Sequence, residues 1–550
     1  MDDLKAWREA WPHALAAWSS YTQLRDPRFL SEPDELAEHG MDGQLAAIRI
    51  ADQLVMINLP ELRRRGLHVF PLAILAHEVG HHVYVPGNRT DHGRTIAAMA
   101  PMLEGLRPGT VHLVANLYAD LLLNDRLQRG GVDVSAVYRR MQETSGPDEP
   151  GAVWRLYTRV YEHLWRQPAR SLGPGVDGAE MDGDARLVAE LVRALARTWL
   201  RGARRFAAIL YPYLARDQEG DRDAFCERGL LDTKDACDGV PDGLTDIDPD
   251  ELADGLDPGE PGRDRKGSGR SCRTPWEYGK LLETLGAKVT AREATARWYR
   301  ERALPNLVPF PERPAPRAVE PLAEGYEGWA IGDELEALDV MGSVTLAPRM
   351  IPGVTTVRRV YGESPGEDPK KLPVDLDLYV DSSGSMPNPA VEVSYLALAG
   401  AILALSALRA GARVQATLWS GPGQIETTRG FVADEKRLLE VVTGSICGST
   451  AFPVGLLRDT HAARKPSDPP VHVVVISDDG ADTILAEGEG VVRDVLDKAR
   501  GGGTMVLNMA NYQRWAAADP LLEMGWRIHT VRDWAELVAF ARAFARETWG

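Results

Sequence analysis

The sequence is poor in cysteine and in positive charge, and each shortage excludes a class of protein. Only four of the 550 residues are cysteines, and no two of them form a C-x-x-C pair. The sequence therefore predicts neither a zinc ribbon nor a thiol redox pair, and cysteine this scarce is typical of a reducing cytoplasm. The formal net charge of −17 argues against a nucleic-acid partner, because a phosphate backbone requires a basic face.

Signals for membrane insertion and for ATP hydrolysis are missing as well. The N-terminus has acidic residues early and no long apolar core, so we expect no signal peptide. Residues 397–408 are the most apolar stretch, but Glu392 and Arg409 lie close on either side, which predicts a buried helix and not a membrane span. No G-x-x-x-x-G-K-S/T pattern occurs, which excludes a P-loop ATPase. We expect a cytoplasmic protein.

A chain of 550 residues is too long for one hydrophobic core, so the sequence predicts a multidomain protein. We place a mainly helical α+β domain at 1–216, an acidic linker at 217–270, a connecting region of helices and short strands at 271–365, and an α/β domain at 366–550. The linker is predicted from residues 217–262, which contain sixteen acidic residues against three basic ones. With few large apolar groups, such a segment cannot order itself alone.

The pattern H-E-x-x-H starts at His77, in a stretch with the composition of a core helix. On a helix, His77 and His81 lie one turn apart on one face, where both imidazoles can bind a zinc ion at about 2.0–2.1 Å. Glu78, beside them, can act as general base on water that the zinc ion polarises, which is the chemistry of peptide hydrolysis. The alternative interpretation is a core helix whose histidines bond to the backbone.

A catalytic zinc ion needs a third protein ligand and one position open to water. Residues 115–127 predict a second amphipathic helix, on which Asn116, Asp120 and Asn124 recur every four residues in one stripe. A polar group on an otherwise apolar helix is costly without a partner, so Asp120 is our preferred ligand. Asn116 and a solvated helix face stay open as alternatives. Three weaker candidates are Asp91, His92 and Asp125.

Residues 45–59, just before the H-E-x-x-H stretch, predict a β-hairpin with its turn near Ala51 and Asp52. Beside a metal, the edge of such a hairpin can pair with an extended peptide substrate. A purely structural hairpin has the same sequence pattern.

Residues 373–550 alternate between strand and helix patterns, which predicts an α/β sheet with helices on both faces. Ligands bind at the carboxyl ends of strands in such sheets. The first of these ends carries Asp381, Ser383 and Ser385 in one tight loop, and Thr450 and Asp478 follow in later loops. Hydroxyl and carboxylate oxygens suit Mg²⁺, which keeps several waters and can accept a carboxylate from a partner.

One detail of this region does not fit the pattern of a buried strand. Asp375 and Asp377 interrupt a strand that should be continuously apolar if both its faces are covered.

The two motifs together resemble bacterial metallopeptidases in which an H-E-x-x-H helix precedes a C-terminal von Willebrand A-like domain. The resemblance rests on His77, Glu78, His81, Asn116 and Asp120 and on the distal Asp-x-Ser-x-Ser, Thr and Asp set, which is similar to a metal-ion-dependent adhesion site. It implies a zincin-like N-terminal domain, although gluzincins usually place a glutamate where Asn116 stands. It also implies a MoxR-type AAA+ ATPase as a partner.

Two functional hypotheses follow. The first is a zinc metallopeptidase acting on a polypeptide substrate, with Mg²⁺ in the C-terminal domain serving to dock a partner. The second is a non-catalytic adaptor, or a subunit like those of magnesium or cobalt chelatases, that uses only the Mg²⁺ site to bind an ATPase or its client protein.

Overall fold

The computed structural model of the chain describes residues 2–144, 150–220, 233–234, 241–253, 271–310, 312–314, 319–365 and 371–547. It divides into two compact units, unit 1 (Met1–Arg302 with Pro389–Val393) and unit 2 (Ala303–Asn388 with Ser394–Gly550). Residues 271–302 thus belong to unit 1 and residues 303–365 to unit 2, whereas the sequence predicts one connecting region over both. Cys226 and Cys237 lie outside the described residues, and Cys272 and Cys447 are free thiols.

Unit 1 is built mainly from helices, with one small sheet. The helices are α1 Asp2–Ala16, α2 Pro33–Glu38, α3 Leu59–Arg64, α4 Pro71–Val83, α5 Arg89–Met99, α6 Thr110–Arg129, α7 Ser135–Thr144, α8 Ala152–Leu164, α9 Ala179–Ala194, α10 Leu200–Glu219, α11 Pro275–Thr284 and α12 Ala291–Ala303. The strands are β1 Arg28–Leu30, β2 Ala46–Arg49, β3 Leu54–Asn58 and β4 Thr233–Lys234, in the sheet order β1-β3-β2-β4.

The hairpin predicted over 45–59 is confirmed, because β2 and β3 pair antiparallel with Ile48 opposite Val55. On its other side, β2 pairs parallel with β4 over Ile48 and Arg49. The β2 strand lies next to α4, the helix that carries the H-E-x-x-H pattern.

Helices α4 and α6 form the centre of unit 1, and a glycine lets α4 pack closely. A Cβ atom on Gly80 would lie 2.4 Å from the ring of Trp18 and 2.9 Å from Leu123 of α6. Any side chain at position 80 would therefore push α4 away from α6. Fourteen of the 20 residues of α6 are buried, Asn116, Asp120 and Asn124 among them, so the solvated-face interpretation of this helix is wrong.

Part of the predicted acidic linker packs onto unit 1. Within residues 241–253, Glu251 is 2% exposed and bonds to Arg273, while Asp250 lies 3.4 Å from Arg201. The prediction considered only apolar burial. Here arginines of unit 1 supply the partners that the acidic side chains need, so these residues have a defined place despite their polar composition.

Unit 2 contains a six-stranded sheet and two separate antiparallel pairs of strands. Its strands are β5 Glu312–Pro314, β6 Val319–Gly328, β7 Val357–Pro365, β8 Lys371–Pro373, β9 Asp375–Asp381, β10 Val414–Trp419, β11 Ile425–Thr427, β12 Val471–Ser477, β13 Arg500–Leu507 and β14 Trp526–Thr530. Its helices are α13 Val340–Leu346, α14 Tyr395–Arg409, α15 Glu435–Val442, α16 Val454–Ala462, α17 Glu489–Ala499, α18 Ala518–Glu523 and α19 Trp534–Glu547.

The large sheet has the strand order β11-β10-β9-β12-β13-β14. All neighbours pair parallel except β11, which is antiparallel to β10. The predicted α/β sheet of unit 2 is confirmed, while β11, α16 and α18 have no counterpart in the sequence prediction. The apolar stretch 397–408 is buried in α14 as predicted, and no described helix is both long and apolar enough to cross a membrane.

The two aspartates of β9 have buried partners, which explains how the strand tolerates them. Asp377 is fully buried and lies 3.0 Å from Nε2 of His461, while Gln415 donates to its other carboxylate oxygen at 3.1 Å. Asp375 accepts from Arg413 at 2.8 Å. Each of the two buried carboxylates therefore has hydrogen-bond partners, which lowers the cost of placing it inside a sheet.

Candidate functional site

The H-E-x-x-H pattern lies on α4, and the stripe of polar residues lies on α6, which packs against it. Pro71 opens α4 at a position where a helix needs no backbone donor, and the apolar residues that follow bury one face. The 3.6-residue period then points His77 and His81 toward Asp120 of α6. The structure thus brings together the three side chains that the sequence predicts as metal ligands.

The ligand atoms of this His-His-Asp group lie close to one another. Nε2 of His77 is 3.2 Å from Nε2 of His81, and Oδ1 of Asp120 lies 3.6 Å and 3.5 Å from these two nitrogens. For metal–ligand distances near 2.0–2.1 Å, a tetrahedral ion requires neighbouring ligand atoms about 3.3 Å apart. The group therefore has the dimensions of a metal site with three protein ligands.

Hydrogen bonds fix the orientation of both imidazoles. Nδ1 of His77 lies 2.8 Å from Oδ1 of Asn124, and Nδ1 of His81 lies 3.1 Å from the carbonyl oxygen of Val85. Because both partners are oxygen acceptors, each Nδ1 carries the proton and each Nε2 presents its lone pair to the centre of the group. The Asn124 amide is oriented in turn, since its Nδ2 donates to the hydroxyl of Tyr161 at 2.8 Å.

Burial suits this arrangement to a cation. His81 is fully buried, and this burial, followed by the nearby His77, lowers the pKa of His81 well below its ordinary value. Protonation therefore does not readily satisfy two facing imidazole nitrogens and a carboxylate that is only 1% exposed. A divalent ion would satisfy all three groups at once.

Glu78 is 1% exposed and lines the same cavity as His77 and Asp120 of the His-His-Asp group. This cavity has a volume of about 70 Å³. The remaining wall is largely apolar and comes from β2, α4 and the α7 region. Its members are Leu45, Ala46, Leu67, Ala73, Ile74, Val134, Val137, Tyr138 and Met141, with Asn124 as a polar neighbour. Glu78 thus adds a buried carboxylate to the wall of this cavity.

Asn116, the alternative ligand, contacts the group indirectly, because its Nδ2 donates to Oδ2 of Asp120 at 3.3 Å. The structure does not bring the three weaker candidates into the group. Asp91 contacts Arg94 at 3.2 Å, and Asp125 pairs with Arg129 at 2.8 Å. His92 stacks on His112, and burial lowers the pKa of His92 to about 4.

A second polar cluster lies in unit 2, at the carboxyl ends of the adjacent strands β9 and β12. Oδ1 of Asp381 accepts from the backbone N–H of Ser383 at 2.7 Å, and its Oδ2 accepts from Ser477 at 2.5 Å. The Ser383 and Ser385 hydroxyls lie 3.2 Å apart, and Ser385 donates to Asp478 at 2.5 Å. Two carboxylates and two hydroxyls from separate loops therefore meet, and we call these four residues with Thr450 the Asp-Ser cluster.

Thr450 reaches the same place through the loop after α15. The backbone N–H of Gly384 donates to the carbonyl of Gly448 at 2.8 Å, which holds that loop against the first one. A Cβ on Gly480 would lie 2.4 Å from the Thr450 methyl group and 3.1 Å from Oδ1 of Asp478, so Thr450 and Asp478 are neighbours. Burial, with repulsion from Asp478 as a smaller cause, raises the pKa of Asp381. A cation would relieve both effects.

Sequence reasoning gave no role to three residues that shape these sites. Asn124 was visible on the polar stripe of α6, and its spacing from Asp120 was the available signal. Ser477 ends an apolar strand one residue before Asp478. The carbonyl of Val85 carries no side-chain signal and depends on the path of the chain after α4.

Comparisons with known proteins show no family model and no curated protein that matches the sequence. Among solved structures, a von Willebrand factor type A protein from Catenulispora acidiphila matches with 16% identity and a TM-score of 0.24. That match covers 33% of this chain and 44% of the other, less than half of its length. An aerotolerance-related membrane protein from Bacteroides fragilis matches with 15% identity and a TM-score of 0.22, over 32% of this chain and 98% of that one.

Proposed function

We propose that unit 1 is a zinc-dependent metallopeptidase, in which His77, His81 and Asp120 hold the metal and Glu78 is the general base. One observation carries the proposal: three ligand atoms lie 3.2 to 3.6 Å apart, with a buried glutamate in the same cavity. Two imidazoles and one carboxylate are a ligand set that zinc favours in catalytic sites.

When bound, zinc supplies a Lewis acid that polarises a carbonyl group and lowers the pKa of water. The residues of the chain divide the other tasks. Asn124 and the Val85 carbonyl hold the imidazoles in the tautomer that exposes Nε2. Glu78 accepts the proton of the attacking water, and the apolar wall of the cavity limits access by bulk water.

The substrate in this proposal is a polypeptide. Ala46, at the start of β2, lines the cavity, and among the residues that the structure describes β2 pairs with β4 over Ile48 and Arg49. In this proposal the end of β2 at the cavity pairs with an extended peptide. Such pairing forms hydrogen bonds with the backbone of the substrate and not with its side chains, so it accepts peptides of many sequences.

The test is a Glu78→Gln variant, which keeps the shape of the side chain and removes the base. We expect zinc content of one ion per chain by elemental analysis in both proteins, and peptidase activity at least about 100-fold lower in the variant. Glu104→Gln, an exposed change in the same unit, serves as the matched control. Full activity in the Glu78 variant would remove the mechanism, and absence of zinc from the wild type would remove the metal assignment.

The Asp-Ser cluster favours a second candidate function, a docking module in unit 2. In this reading unit 2 is von Willebrand A-like, and Mg²⁺ binds to the cluster and accepts a carboxylate from a partner such as a MoxR-type AAA+ ATPase in the cytoplasm. The support is the meeting of Asp381, Ser383, Ser385 and Asp478 at two strand ends. Asp381→Ala separates the candidates. Loss of partner binding in this variant, together with unchanged behaviour of Glu78→Gln, would favour the adaptor.

A further inference from the structure

Unit 1 contains a second, larger cleft that the proposed peptidase chemistry does not use. Its volume is about 1070 Å³, and none of its lining residues lines the cavity of the His-His-Asp group. Five arginines from α6, the turn after α8, and the C-terminal end of α9 surround it, and we call it the basic cleft. They are Arg126, Arg129, Arg166, Arg193 and Arg197, all of them exposed.

These arginines are poorly neutralised by their surroundings. Asp125, which is 2% exposed, lies 2.8 Å from Arg129 and 3.5 Å from Arg193. In the part of the chain that the structure describes, no carboxylate pairs with the other three arginines of the cleft. Five positive charges against one negative leave a formal charge of 5 − 1 = +4, in a chain whose formal net charge is −17. A concave surface concentrates the potential of such charges on whatever enters it.

Contacts with the protein hold two of these side chains, Arg126 and Arg193, in place before any ligand binds. The Arg126 guanidinium lies over the rings of Tyr84 and Trp18, 5.0 Å and 5.1 Å from their centres. Arg193 donates to the carbonyl oxygen of Leu164. Arginines that are already ordered lose less conformational entropy when an anion binds, which favours specific recognition over loose attraction.

The cleft favours carboxylates on a peptide over nucleic acid. A single-stranded nucleic acid needs aromatic faces on which its bases can stack. The two aromatic side chains here each have a face engaged already, Tyr84 by Arg126 and Trp165 by Tyr161, whose ring centre is 4.5 Å away. The side chains of Gln128 and Gln167 add neutral amides to the wall, and amides can bond to a peptide main chain.

Unit 1 already uses this chemistry elsewhere. Asp250 and Glu251, in an acid-rich stretch of the same chain, are held by Arg201 and Arg273. We propose that the basic cleft is a binding site for an acid-rich peptide segment of a partner or substrate protein, whose Asp and Glu carboxylates bond to the cleft arginines. This site is separate from the metal group, and the proposal does not depend on peptidase activity.

The test uses the full chain and fluorescence anisotropy of a labelled hexaglutamate peptide, with hexaglutamine as the neutral counterpart. The cleft variant is Arg166→Gln with Arg197→Gln, two side chains without a carboxylate partner in the described parts of the chain. We expect binding of hexaglutamate but not hexaglutamine, and an affinity at least about tenfold weaker in the cleft variant, because charge-assisted hydrogen bonds are lost. Binding should also weaken as salt is raised.

The matched control is Arg8→Gln with Arg186→Gln, which removes the same charge from exposed positions of unit 1 outside the cleft. It should bind hexaglutamate like the wild type, and both double variants should keep the wild-type circular dichroism and melting temperature. Equal losses in the two double variants would overturn the proposal, since only net charge would then matter. Equal binding of the two peptides, or stronger binding of a hexathymidylate strand than of hexaglutamate, would also overturn it.

Discussion

The hydrogen bond from His77 to Asn124 gives the sharpest test of the proposal that the His-His-Asp group binds zinc. Nδ1 of His77 lies 2.8 Å from Oδ1 of Asn124. Asn124→Ala removes this hydrogen-bond acceptor and leaves the three proposed metal ligands unchanged. Losing the partner that orients a ligating histidine typically weakens metal binding by about 10- to 100-fold, which corresponds to about 1.4–2.7 kcal/mol. We expect the zinc dissociation constant to rise by a factor in this range, measured by competition with a chromophoric chelator.

Asn124→Asp is the matched variant, because its carboxylate can still accept the His77 proton. The hydroxyls of Tyr161 and Tyr138, which now accept from the Asn124 amide at 2.8 Å and 3.2 Å, can rotate and donate to it instead. The Asp variant should therefore bind zinc about as tightly as the wild type. Unchanged affinity in the Ala variant, or equal losses in the two variants, would refute the orienting role of Asn124.

Two further predictions concern unit 2 and need no metal. Asp377→Ala should lower the free energy of unfolding by about 3–5 kcal/mol in denaturant titrations, because it leaves His461 buried without its carboxylate, and exposed Asp459→Ala should change it little. Burial lowers the pKa of His472 to about 4 in the folded protein. As the pH falls below about 6.5, His472 therefore becomes protonated in the unfolded chain before it does so in the folded one. Between pH 7 and pH 5, the free energy of unfolding should therefore fall by about 2 kcal/mol more in the wild type than in His472→Gln. An equal dependence on pH in the two proteins would contradict this.

The sequence predicted helices α4 and α6 well because each carries its own signal. The four-residue spacing of His77 and His81, and of Asp120 within its polar stripe, is a local property of a helix. What the sequence could not supply is the face that α6 turns toward α4. That orientation depends on the close packing around Gly80, which involves side chains far apart in the chain.

In the sheet of unit 2 as well, the strands could be predicted from local sequence patterns, but contacts between residues far apart in the chain could not. The alternation of strand and helix patterns identified β9 and β12, and the ends of these strands gave Asp381 and Asp478. Asp377 remained unexplained in the sequence because its partner, His461, lies in α16, 84 residues away. Neither the short helix nor the pairing across the core leaves a periodic pattern, so a buried contact of this kind becomes visible only in three dimensions.

The bond from His81 to the carbonyl of Val85 makes the two histidines unequal targets for protein engineering. The acceptor of His77 is the side chain of Asn124, so a single substitution at position 124 can strengthen, weaken or remove this hydrogen bond. The acceptor of His81 is main chain and survives every substitution at position 85 that preserves the local path. Tuning of this centre by natural variation should therefore concentrate on the asparagine side, while the other imidazole keeps a constant anchor.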